Sequence, residues 1–64
     1  MKITFYQVDS ALWMVLGNGK KIGSILSLPD GGFSYDIPKW KGTVPAYWSL
    51  SDVQHLVMDT ADES

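Results

Sequence analysis

The chain has no cysteine, no arginine, a single histidine, and no apolar run near the length of a membrane span. Each absence removes a class of explanation. Without cysteine there is neither a disulfide framework nor a thiolate metal site to compensate for a small core. One histidine among scattered aspartates does not provide the three or four converging ligands a metal needs, so neither metal nor cofactor is expected. Arginine is the side chain that grips phosphate and guanine with two parallel hydrogen bonds, and here all five basic residues are lysines. The opening MKITFYQVDS lacks the basic segment, apolar stretch and small-residue cleavage site of a signal peptide. The expectation is a cytoplasmic protein with no membrane partner.

What remains is a chain of 64 residues, 45% hydrophobic and 19% charged, with a formal charge of −2. That composition belongs to a folded domain, and the length allows one. A domain of this size buries only about 60% of its unfolded surface, so apolar packing, aided by self-association, has to supply its stability.

Four segments carry strand signals. ITFYQV (3–8) is β-branched and aromatic. ALWMVL (11–16) is apolar on both faces. KIGSILSL (21–28) follows Asn18-Gly19, the dipeptide favoured in two-residue hairpin loops, and FSYDI (33–37) follows Asp30-Gly31. If both dipeptides are two-residue loops, Val15 faces Ile22, Leu26 faces Tyr35 and Leu28 faces Phe33. One face then collects Trp13, Val15, Ile22, Leu26, Leu28, Phe33, Tyr35 and Ile37 as a core. The other carries Leu12, Met14, Leu16 and Ile25 among polar residues. Which side chains the first strand adds to that second face, Ile3 and Phe5 or Thr4, Tyr6 and Val8, stays open.

Residues 38–48 read as an irregular loop, Pro38 to Trp48. Ser49, with Asp52 three residues later, then marks the start of a helix over about 50–60, with Leu50, Val53, Val57 and Ala61 on one stripe. Acidic residues in its last turn oppose the helix dipole and predict fraying after about Met58. The fold class expected is α+β: a small antiparallel meander of three or four strands with one C-terminal helix packed on one face.

Ser51, His55 and Asp59 repeat at four-residue spacing on the helix, the residue types of a hydrolytic triad. They fall on the solvent side, where nothing excludes water or supplies an oxyanion site, so they read as a solvated face. No enzyme is expected. Gly17, Gly19 and Gly23 lie in a hairpin context rather than at a strand-to-helix junction, which argues turn chemistry over phosphate binding.

The remaining candidates are surfaces. Trp40, held between Lys39 and Lys41, cannot bury deeply without drawing lysine stems with it, whereas Tyr47 and Trp48 adjoin a helix cap and are expected to fasten the loop to the fold. Together with the apolar face at Leu12, Met14 and Ile25, the Trp40 loop points to a protein-interaction module, of the accessory or inhibitor kind that phages and mobile elements encode, with a host protein or a second copy as partner. The alternative is a small nucleic-acid-binding domain using Lys20, Lys21, Lys39, Trp40 and Lys41. Its sheet-plus-helix architecture broadly resembles domains that read DNA with a three-stranded sheet or double-stranded RNA with a sheet and helix.

Overall fold

A computed structural model describes residues 2–62 of the chain. Five strands, β1 (Ile3–Asp9), β2 (Leu12–Gly17), β3 (Lys20–Ser27), β4 (Phe33–Ile37) and β5 (Trp40–Val44), form one antiparallel sheet in chain order, followed by helix α1 (Leu50–Asp62). The α+β meander with a helix packed on one face is therefore observed, with one more strand than four. β5 lies inside the segment expected to be loop. Its alternation is hidden because the position between Trp40 and Val44 on the helix side is Gly42, and the Tyr35 ring of β4 lies across that glycine in place of a side chain.

Local chemistry explains the turns. Asn18 (φ 53) and Gly19 (φ 84) both take the left-handed backbone that a type I′ hairpin loop requires. Asn18 also ties down the chain's start: the Lys2 N–H donates to Asn18 Oδ1 at 3.0 Å, and the Asn18 N–H donates to the Lys2 carbonyl at 2.9 Å. The β3–β4 connection has three loop residues rather than two. The Gly31 N–H donates to the Leu28 carbonyl at 3.0 Å, closing a turn over Pro29-Asp30, and Gly31 (φ 96) then makes the left-handed step to Gly32. Ser27 thus pairs with Phe33 and Ile25 with Tyr35.

A second irregularity acts on the same strand. β2 and β3 pair Leu16 with Lys21 but Val15 with Gly23, so Ile22 is an extra residue bulged out of the ladder. The bulge and the longer loop each shift β3 by one residue, and its side chains beyond the bulge exchange faces. Ile25, expected on the uncovered face, is fully buried under the helix; Leu26, expected in the core, is 44% exposed. Ile22 keeps a half-buried place against the core.

The core consists of Val15, Ile25, Ile37 and Val44 from the sheet and Val53 and Val57 from the helix, flanked by Trp13 and Phe33 in edge-on ring contact at 6.1 Å. Ile3 and Phe5 join this side, which settles the orientation of β1. The helix runs to Asp62, past the expected fraying point, because Ala61 is itself buried and holds the final turn in place.

At the start of α1, the Asp52 N–H donates to Ser49 Oγ at 3.2 Å and the Ser49 N–H donates to Asp52 Oδ2 at 3.0 Å, a reciprocal capping box. The Ser49 backbone N–H foremost, then its hydroxyl, hold the Asp52 carboxyl below the ordinary aspartate range. A depressed folded pKa stabilises the fold above the unfolded value and loses that contribution as pH falls through the folded one. Ser49→Ala removes the oxygen that accepts from the Asp52 N–H, and the loss of this cap should cost about 1 kcal/mol. Asp52→Asn should lower the unfolding midpoint at neutral pH and converge with the parent chain in acid. A gap between Asp52→Asn and parent that persists unchanged below the aspartate range would remove the charged cap as its cause.

Candidate functional site

Because α1 covers one face of the sheet, the other is left to solvent, and cross-strand pairing dictates its contents. From β1 to β3 it presents Tyr6 opposite Met14, Leu16 opposite Thr4, and Leu12 opposite Leu26. From there to β5 it turns polar, with Ser24 opposite Asp36, Ser34 opposite Thr43 and Asp36 opposite Lys41. Tyr6 is 53% exposed; Leu12, Met14 and Leu16 are half-buried by their neighbours. Val8, exposed, marks a further irregularity where β1 meets β2 between Gln7 and Asp9. The result is an apolar half-sheet of contiguous side chains beside a polar half, with Lys21 at the border opposite Leu16 and Lys41 on the far edge strand, beyond Ser24 and Asp36.

The structure distributes the expected site residues unevenly. Leu12 and Met14 lie together on the helix-free face. Ile25 does not join them, being core, and Leu26 stands in its place. Leu16, expected on this face from the alternation of β2, and Tyr6 complete the patch; the place of Tyr6 could be read only once the face of β1 was known.

Lys39 sits in the two-residue Pro38-Lys39 turn and Trp40 begins β5 opposite Ile37, on the helix-side face at the margin of the sheet. Trp40 is 52% exposed, so its indole is available although it is not in a loop. Lys41 points to the other face, opposite Asp36. Lys20 and Lys21 open β3 beside the Asn18-Gly19 turn.

Trp48 packs against the core, as expected of a residue fastening the helix start. Tyr47 does not: it is 85% exposed. The 45–48 turn, closed by the Trp48 N–H donating to the Pro45 carbonyl at 3.1 Å, directs successive side chains oppositely and only one of the two can reach inward. Tyr47 instead walls an open groove of about 470 Å³ shared with Trp48, Asp52, His55, Leu56 and Asp59. Ser51, His55 and Asp59 are exposed along the helix.

Among the described residues, no three His, Asp or Glu side chains come together as a metal site, and no helix is long and apolar enough to cross a membrane. Comparison with known protein families, with curated proteins and with solved structures finds no match to the chain.

Proposed function

We propose that the protein is a non-catalytic interaction module that docks onto a partner protein through the helix-free face of its sheet. The observation that carries this reading is the contiguity of Tyr6, Leu12, Met14, Leu16 and Leu26 on a face that no element among the described residues covers. A patch of aromatic, methionine and leucine side chains beside a polar border has the composition of a protein interface, and methionine adapts its shape to the opposing surface. Lys21, opposite Leu16 at the border, fits a partner that brings a carboxylate to the rim of its apolar centre. Such a module acts as an accessory or inhibitor by occupying its partner's surface.

The test is affinity capture from lysate with the folded chain as bait, in nuclease-treated and untreated arms, beside the variants Leu26→Asn and Tyr6→Ser. Both substituted side chains are about half exposed, so circular dichroism and the unfolding midpoint should be close to those of the parent. The expected result is a protein whose recovery resists nuclease and falls at least severalfold with either variant. Undiminished recovery by both variants, or loss of every captured protein on nuclease treatment, would overturn the reading.

A further inference from the structure

The meander brings every basic residue of the chain to one end of the sheet. Ile3 pairs with Gly17 and Gly17 with Lys20, so the start of β1 lies beside the β2–β3 turn, and the Asn18 hydrogen bonds fix Lys2 there. The β4–β5 turn at Pro38-Lys39 falls at the same end, since Ser24 pairs with Asp36 and Ile37 with Trp40. Lys2, Lys20, Lys21, Lys39 and Lys41 are all exposed, and among the described residues none of their ammonium groups is held in an ion pair. Asp9 and Asp30 occupy the turns at the opposite end, which the Ser27 N–H joins by donating to the Ala11 carbonyl at 2.7 Å. A chain of net charge −2 thus gathers its lysines at one end of the sheet, with Asp36 among them opposite Lys41. Asp9 and Asp30, at the other end of a molecule 31 Å long, are screened from the lysines beyond a Debye length of about 8 Å at physiological salt.

Two further features share that end. A groove of about 310 Å³ runs between the turns, lined by Lys21, Ile22, Gly23, Ser24, Asp36, Ile37 and Pro38. The half-exposed Trp40 indole stands at the edge strand just after the Lys39 turn, on the face opposite to that of Lys41.

We propose that the lysine-bearing end of the sheet is a binding site for single-stranded nucleic acid, with the lysines neutralising successive phosphates and Trp40 stacking on an unpaired base. The row from β1 to the β4–β5 turn crosses about 15–20 Å at roughly 4.8 Å per strand, enough for several consecutive phosphates. An acidic peptide would satisfy the ammonium groups but its charged residues bring no planar ring for the indole, whereas every nucleotide carries charge and ring together. Duplex nucleic acid keeps its bases stacked and would leave Trp40 unused. Lysine rather than arginine at every position fits a site that follows the backbone without reading base edges. Asp36, lining the groove opposite Lys41, opposes the bound phosphates and limits affinity. The inference goes beyond the docking face and does not rest on it.

The test is fluorescence anisotropy with a labelled oligothymidylate, alongside a hairpin duplex and heparin as a polyanion without bases. The parent chain should bind oligothymidylate at low salt and weaken linearly as salt rises on logarithmic axes. Lys39→Ala with Lys41→Ala should reduce that slope by about 1.4, at about 0.7 per phosphate contact. Trp40→Ala should weaken oligothymidylate binding about tenfold and leave heparin unchanged; Asp36→Asn should tighten both. Leu26→Asn should alter neither, which separates this site from the docking face. No binding at low salt, equal affinity for the hairpin duplex, or a Trp40→Ala effect that is absent or the same for heparin would overturn the proposal.

Discussion

Ile25→Ala should destabilise the domain by about 2–5 kcal/mol, while Leu26→Ala, one residue along, should cost about 0.5 kcal/mol. The two aliphatic side chains are nearly the same size, and a short strand separates their faces completely. Ile25 is fully enclosed by Val15, Ile37, Val53 and Val57, so its truncation leaves a cavity that helix and sheet cannot both close. Leu26 meets solvent on the far side. For a domain of this size the larger cost approaches the whole of its stability, so a urea titration should show Ile25→Ala unfolded or nearly so in buffer while Leu26→Ala keeps its midpoint. Similar midpoints for the two variants would mean that β3 is paired one residue away from the register described.

That register is where sequence reading and structure diverge, and the reason is specific. Asn18-Gly19 makes the two-residue turn its chemistry demands, and the pairing beside it, Leu16 with Lys21, follows. Nothing in KKIGSILS announces that Ile22 will bulge. At the other end of β3, Pro29-Asp30-Gly31 satisfies a three-residue loop as well as Asp30-Gly31 would a two-residue one. Each event moves β3 by one residue, and the two shifts agree. A check of one turn against the other therefore succeeds with either register, so the faces of β2 and β4 are legible in the sequence and that of β3 is not. The helix was legible because its signals are local: the Ser49–Asp52 box and the Val53–Val57 stripe depend on no distant pairing.

The candidate surfaces follow the same logic. Leu12 and Met14 were found from β2 alone, whereas Leu26 required the register and Tyr6 required the face of β1. Lys2 shows no sequence signal at all; it joins the other lysines only because a meander returns to the same end at every second turn. β5 stayed hidden because its alternation relies on Tyr35 reaching over Gly42, a contact between strands. Tyr47 and Trp48 are equivalent in composition, and only the closing geometry of the 45–48 turn sends one inward and the other out.

Gly23→Ala should be among the most damaging single changes, costing about 3 kcal/mol or more. Gly23 lies just beyond the bulge, opposite Val15 on the helix-side face, where β3 and β4 approach closely. A Cβ built there would collide with the Asp36 carbonyl oxygen and come within 2.7 Å of Ile37 Cγ2 and 3.0 Å of Ile37 Cα. Two of those three atoms are backbone, held in the ladder, and the third belongs to a core side chain only 3% exposed, so none can retreat without opening the sheet. Gly19→Ala provides the contrast. Its added methyl meets nothing within 4 Å, and its cost is confined to the left-handed backbone at φ 84, about 1–2 kcal/mol. The bulge at Ile22 explains why glycine is needed: with an extra residue expelled, the backbone at position 23 is drawn toward β4, and the Ile37 side chain takes the volume a side chain at 23 would fill. Gly23 also lines the groove between the two turns, so displacing β4 there would move Pro38 and the Lys39–Trp40 corner with it. Urea midpoints of the two variants decide the matter: Gly23→Ala should lose at least about 1 kcal/mol more than Gly19→Ala, and a smaller loss would show that β3 and β4 are not in close contact at this point.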